Sequence, residues 1–408
     1  MNRSRDPRTG FGPRSATLAL ITVLLMACVT GCSAQDIRDV TPDQSGNPVG
    51  GLWYGIGQSV TPAEAVAVAK RYQMIVLNSW DVDALKAIKK TNPSAKVLVY
   101  KDLSSTRSYS GAVDNGVDAT ALPSGVGYVY ASRNHPDWFA TDSRNRRIEW
   151  APSYPGHWQM AVWNTGYQQY WARQVTDEVV AQDWDGVLAD NDFARLQFYS
   201  TQLIKGTGSA DATNAKIRSG LDALVAVAGT RLQAAGKLFI PNIAEARLTP
   251  GRWTSHSRFG GAMEENFATA GQNGSILPLD TEQWTEMLDI AARGTEYILL
   301  ITQGADLTDV SNGYASAALL AGAKTSWMAA PDPDYAQPPW QAVQRSALGT
   351  PVGPPAISDG LWTRHFADGV VAVNPTSTTK PFDIPQTGGA SGENHSLPPG
   401  NAVVSVSQ

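Results

Sequence analysis

From Leu52 onward, short apolar runs recur between stretches whose apolar residues fall at helical spacing. The runs are Leu52–Ile56, Met74–Asn78, Val97–Tyr100, Gly186–Asp190, Leu238–Asn242, Gly261–Glu265, Tyr297–Ile301 and Ala323–Met328, eight in all. Each is nearly continuous in hydrophobicity rather than alternating, the pattern of a strand buried on both faces of a parallel sheet. The stretches between carry helix punctuation. Thr61-Pro62-Ala63-Glu64 supplies an N-cap, a Pro at the first helical position and a reciprocal Glu. Leu221, Leu224, Val225, Ala228 and Leu232 share a face before Gly236, and Thr281 opens a helix that Gly294 closes. Strand and helix alternating eight times predict an α/β fold, a closed parallel (β/α)8 barrel of the TIM type.

One interval breaks the rhythm: about eighty residues separate the third run from the fourth, where a plain strand-helix-strand step needs roughly thirty. The excess is an insertion rich in Tyr and Trp, including Trp138, Trp158 and Trp163, and it follows a barrel strand, so it belongs to the face where such folds build their chemistry. After Met328 the chain turns Pro-rich, and beyond Pro355 come short strand-like runs from Leu361, Gly369, Pro381 and Ala402. The expected organisation is a barrel over 50–335 and a small β-sheet domain over 356–408, too small to stand alone and therefore packed on the barrel.

The N-terminus reads as an address. Arg3, Arg5, Arg8 and Arg14 precede an apolar run from Ala16 to Val29, too short to be a convincing membrane span, and Val29-Thr30-Gly31-Cys32 resembles a bacterial lipobox. The expectation is a lipoprotein signal peptide over 1–31, lipid modification of Cys32, and a polar tether over 32–49, which places the domain outside the cytoplasm on a membrane anchor.

Composition narrows the chemistry. Removing the signal's four Arg and one Asp from 32 bases and 37 acids leaves 28 against 36, a charge of −8. That balance argues against nucleic acid as a partner, since displacing counterions from phosphates needs a basic excess. Cys28 leaves with the signal, so one Cys remains and no internal disulfide can form. Five scattered His, no His-Glu-x-x-His, no phosphate loop and no complete dinucleotide fingerprint lead us to expect neither metal nor cofactor; a monomer is expected.

What remains is carboxylates at strand ends. Gly186-Val187-Leu188-Ala189-Asp190 and Gly261-Ala262-Met263-Glu264-Glu265 each place an acid four residues after a glycine. Side chains in a strand alternate, so Asp190 shares a face with Gly186 and Leu188, and Glu265 with Gly261 and Met263. As ends of the fourth and sixth strands, both acids can point into the barrel mouth, one to act as acid and the other as base or nucleophile. The plain alternative is that each caps a helix or pairs with a Lys. Tyr54, Asn78, Tyr100, Asp102, Asp192, Asn242 and Gln303 stand at or beside other strand ends and suit a mouth that binds hydroxyls. Trp138 and Trp158 are candidate platforms for sugar rings, or else they pack the insertion onto the barrel. Glu264 neighbours the site but faces away on simple alternation, unless a bulge exchanges it with Glu265.

The chain resembles a bacterial family of TIM-barrel glycoside hydrolases related to the endo-acting polygalactosaminidases. The carriers are LWYGIG, MIVLN, KVLVYKD, HPDWFATDS, DWDGVLADND, LFIPN and GAMEENF, while RHFADGVVAVNP is similar to the small β-domain behind many glycosidase barrels. The resemblance implies that Asp190, ending the fourth strand, and Glu265, ending the sixth, are the catalytic pair. It also implies an Asp where this chain has Ala161, a departure that bears on substrate contact or specificity. The reading is a metal-independent glycoside hydrolase acting on an extracellular or cell-envelope polysaccharide, with Asp190 as nucleophile or ionised stabiliser and Glu265 as general acid/base. The rival is a glycan-binding lipoprotein that kept the barrel and lost turnover.

Overall fold

The computed structural model describes residues 46–244, 247, 249–269, 276–279, 281–304, 306–330, 335, 339–384 and 393–406. The signal segment, Cys32 and the tether as far as residue 45 lie outside the described residues. The described residues belong to one compact unit.

All eight apolar runs are strands: β1 (Gly50–Gly55), β2 (Met74–Leu77), β3 (Lys96–Asp102), β4 (Gly186–Asp190), β5 (Leu238–Pro241), β6 (Gly261–Glu264), β7 (Tyr297–Gln303) and β8 (Thr325–Ala330). They pair in parallel in the order β6-β7-β8-β1-β2-β3-β4-β5. Bridges from Phe239 to Gly260 and from Asn242 to Met263 close the ring between β5 and β6. The fold is a (β/α)8 barrel.

Period-two alternation decides which side chains enter it. Leu52, Tyr54, Val76, Leu98, Leu188 and Met263 fill the interior, while Trp53, Ile75, Val97 and Val187 turn outward against the helices. The glycine that precedes each acid by four residues has a steric cause. A Cβ on Gly186 would meet the Leu238 carbonyl oxygen at 2.2 Å, and one on Gly261, whose φ is 154°, would meet that of Tyr297 at 2.3 Å. Strand entry is thus too tight for a side chain, and four residues later the exit has room for an acid.

The helices are α1 (Pro62–Val68), α2 (Val82–Thr91), α3 (Tyr128–Asn134), α4 (Thr165–Ala181), α5 (Ala210–Ala234), α6 (Arg252–Ser257), α7 (Glu282–Arg293) and α8 (Leu307–Leu319). Thr61 and Glu64 form the capping box expected at α1, and Thr281 caps α7, which stops at left-handed Gly294. The insertion after β3 holds a two-stranded ribbon, Ser105–Arg107 against His157–Gln159, together with α3.

The C-terminal strands are β9 (Ala356–Ser358), β10 (Leu361–Phe366), β11 (Gly369–Asn374), β12 (Lys380–Ile384), β13 (Glu393–Leu397) and β14 (Asn401–Val406). Four form the antiparallel sheet β9-β10-β11-β14, and β12 pairs with β13. Phe366, Val371 and Val373 of this sheet share a core with Tyr314, Ala318 and Leu319 of α8. Arg364 Nη1 caps the end of α8, donating to the carbonyls of Leu319 at 2.8 Å and Ala321 at 3.0 Å.

Candidate active site

The strands deliver Asp190, Asn242, Glu265 and Gln303 to the same end of the barrel, and Asn242 links the two acids. Its Nδ2 donates to Asp190 Oδ1 at 2.9 Å and to Glu265 Oε2 at 2.6 Å. An amide nitrogen has two hydrogens, so both are spent on the two carboxylates, and the flipped amide would set an oxygen against both acids.

Asp190 has the more hydrogen-bond donors of the pair. Besides Asn242 it accepts from Tyr100 Oη at 2.6 Å, from the Asn191 backbone N–H at 2.8 Å and from Asn191 Nδ2 at 3.3 Å. Burial first, then the charge of Asp102, push its carboxyl above the usual range, while the donors from Tyr100, Asn242 and Asn191 favour the ionised form. Glu265 accepts from Asn242 and from Tyr335 Oη at 2.7 Å. Burial first and the Asp190 charge second raise it to about 7. Gln303 Nε2 supports this side by donating to Tyr335 Oη at 2.6 Å and to the Glu265 carbonyl at 3.1 Å. The buried Oδ1 of Asn242 and Oε1 of Gln303 have no protein partner, which leaves two acceptors at the mouth.

Several expected contacts resolve differently. Asp102 is fully buried, with Oδ1 held by the Ser104 and Ser105 N–H groups and Oδ2 by Arg107 Nη1, Ser105 Oγ and Asn191 Nδ2. It therefore anchors the inserted loop and Arg107, and is no substrate contact. Asp192 lies past the strand's end, after Asn191 takes a φ of 61°. It points outward into a buried cluster with Arg252 Nη2 and His256 Nδ1, each at 2.5 Å, and Asp222 completes that cluster. Glu264 also faces away from the mouth, hydrogen-bonded by Gln283 and 3.8 Å from Arg247 Nε; no bulge exchanges it with Glu265.

Asn78 is committed to the β1–α1 loop, accepting from Gly57 N–H at 3.0 Å and donating to the Gln58 carbonyl and to Asp81. Tyr54 lies buried among Tyr100 and Tyr335, its ring centroid 5.0 Å from that of Tyr335. Trp138 is only 4% exposed and stacks on His135 at 3.8 Å, so it packs the insertion instead of offering a platform. Trp158 is half-buried, beside the Tyr128 ring and donating to Ser108 Oγ at 2.8 Å. Ala161 is buried, its N–H donating to the Trp138 carbonyl.

Tyr335, Arg107 and Asn191 were not expected from sequence. Tyr335 sits in the Pro-rich stretch after the last barrel strand, and that position, a loop leaving a strand's C-terminal end, is the only signal that could have marked it. Among the described residues no cluster of His, Cys, Asp and Glu could hold a metal ion.

The chain is similar to the glycoside hydrolase domain of PelA from Pseudomonas aeruginosa, at 14% identity over 70% of this chain and 95% of that one, with a TM-score of 0.43. It is similar also to an α-amylase from Geobacillus thermoleovorans complexed with acarbose, at 12% identity over 88% and 98% of the two chains, with a TM-score of 0.41. No curated protein matches it. A family model described as hypothetical glycosyl hydrolase family 15 matches residues 89–370, more than half of the sequence and the stretch holding both acids, and the chain belongs to that family.

Proposed function

We propose that this glycoside hydrolase cleaves a polysaccharide of the cell envelope or its surroundings with retention of anomeric configuration, using Asp190 as nucleophile and Glu265 as general acid/base. The observation that carries the reading is the amide of Asn242 spanning both carboxylates. Its bonds of 2.9 and 2.6 Å cannot separate the two acceptor oxygens by more than their combined length, about 5.5 Å. Retaining enzymes hold their carboxyl groups about 5–5.5 Å apart, whereas inverting ones need about 6.5–9.5 Å to admit a water.

The environments divide the labour. Glu265 has the fewer donors and a carboxyl raised to about 7, so it keeps a proton well above the usual carboxylate range for the departing sugar oxygen. Asp190, with donors from Tyr100, Asn242 and Asn191, is held for attack on the anomeric carbon. Once the leaving group has gone, ionised Glu265 takes a proton from the incoming water, whose oxygen bonds to the anomeric carbon as the bond to Asp190 breaks and its carboxylate is released. Location outside the cytoplasm on a Cys32 lipid belongs to the same proposal and is supported by the sequence pattern before residue 46.

The test is hydrolysis of a panel of neutral and amino-sugar polysaccharides, with the product anomer followed by NMR. Asp190→Asn and Glu265→Gln should each lose roughly 10²–10⁴-fold or more, and Glu264→Gln far less. An initial product of inverted configuration would overturn the assignment of Asp190 as nucleophile.

A further inference from the structure

Large aromatic side chains are seldom left in water together. Among the described residues four are exposed: Trp80, Tyr109, Tyr154 and Phe198. Three of the four belong to one connected ridge. Tyr109 contacts His157 at 5.5 Å between ring centroids, His157 contacts Tyr154 at 5.7 Å, and Tyr154 contacts Tyr199 at 5.8 Å. Tyr199 contacts Phe198 at 5.1 Å and Phe193 at 5.8 Å. The exposures are 39% for Tyr109, 44% for Tyr154 and 65% for Phe198. Isolated exposed rings need no explanation, but a contiguous apolar patch on a soluble domain marks a surface that meets something.

The ridge is built, and it starts at the catalytic acids. Tyr199 stacks on buried Trp150 at 4.0 Å and 11°, and its Oη donates to Asn191 Oδ1 at 2.7 Å. Asn191 Nδ2 in turn donates to Asp190 Oδ2. The rings come from two loops, the insertion after β3 and the segment after β4, both on the mouth side of the barrel. Burial, and secondarily the Arg107 guanidinium, push His157 down to about 4, so the ridge carries no charge at neutral pH.

We infer that Tyr109, Tyr154 and Phe198 form an extended subsite on which successive pyranose rings of a polysaccharide stack, leading the chain to Asp190 and Glu265. A pyranose has an apolar C–H face that matches an uncharged ring, and its hydroxyls stay in water at the edges. Three exposed rings in a connected row suit a run of sugar residues better than a single terminal one, so the protein should favour long substrates. The inference rests on the glycosidase reading, and its test separates the two.

The full chain carrying Asp190→Asn is assayed for binding to soluble β-glucan, galactomannan, chitosan and galactosaminoglycan by affinity electrophoresis. Phe198→Ala and Tyr154→Ala are added singly, and Val352→Ala, exposed in the C-terminal part, serves as control. Each ridge variant should weaken binding about three- to tenfold, and binding should persist in about 0.5 M salt because stacking is not screened. In the active background the same variants should lose more on polymer than on a short aryl glycoside. If polymer is bound or cleaved and the ridge variants match the control, the subsite is wrong and the glycosidase reading stands. If ridge-dependent binding occurs without any hydrolysis by the parent chain, the subsite stands and the catalytic reading fails. If no polysaccharide is bound or cleaved, both fall.

Discussion

Exchanging Glu265 for Gln should make the protein more stable and less active, and the stability gain should depend on pH in a specified direction. The side chain is buried beside Asp190, with Asn242 and Tyr335 as its side-chain hydrogen-bond donors among the described residues. Its carboxyl is raised from 4.5 to about 7, first by burial and then by the Asp190 charge. Between those two values the folded protein keeps a proton that the unfolded chain has released, so stability falls as pH rises through that window. Below it there is no cost, and above it the cost is complete. At about 1.4 kcal/mol for each pH unit between the two values, ionised Glu265 costs the fold about 3 kcal/mol.

Glu265→Gln keeps the shape, can still accept from Asn242, and removes the charge. Urea unfolding of parent and variant, analysed by linear extrapolation, should give equal stabilities near pH 4.5 and a gain of about 3 kcal/mol for the variant at about pH 8.5. A gain of the same size at both pH values, or none at the higher one, would refute the account of Glu265 as a buried acid held protonated by its surroundings.

Asn242→Ala removes two hydrogen bonds to carboxylates and should lower kcat/KM by roughly 10–100-fold while leaving the fold intact by circular dichroism. The Tyr335 hydroxyl lowers the carboxyl of Glu265, so Tyr335→Phe should move the basic limb of the kcat/KM profile to higher pH; a limb that stays put would detach Tyr335 from the acid. Asp192→Asn strips the charge that faces buried Arg252 and His256 and should cost about 3 kcal/mol in urea unfolding. Cys32→Ser should shift the protein from the membrane to the soluble fraction of its host, and mass spectrometry of the mature N-terminus should find acyl chains on Cys32 in the parent.

The barrel was legible because a parallel strand buried on both faces is written as a compact apolar run, and period-two counting from Gly186 and Gly261 reaches the two acids that share the mouth. Counting stops being valid where the strand does. Asn191 turns the backbone into the left-handed region, so Asp192 leaves on the outer side even though its number has the right parity. Asp102 has the right parity as well, but Arg107, five residues on in the ribbon of the insertion, takes it up. In the insertion, sequence could flag aromatic richness without sorting its rings. Trp138 is buried because His135 and Tyr170 cover it, whereas Tyr154 in the same insertion is 44% exposed, outcomes that depend on how separate segments meet. Tyr335 was hidden for a related reason, since a Pro-rich stretch has no periodicity to say which side chain turns back toward the barrel.

The direction of the strands gives the molecule a front and a back. The chain enters β1 at Gly50, at the end where the barrel is closed by tight glycine contacts, with Asn47 just before it fastened to Tyr314 Oη at 2.6 Å and to the Gln344 carbonyl at 2.6 Å. The acids and the aromatic ridge lie at the other end. The chain upstream of Asn47 is therefore joined to the barrel at its back, and the opening with the acids and the ridge lies at the end opposite that junction.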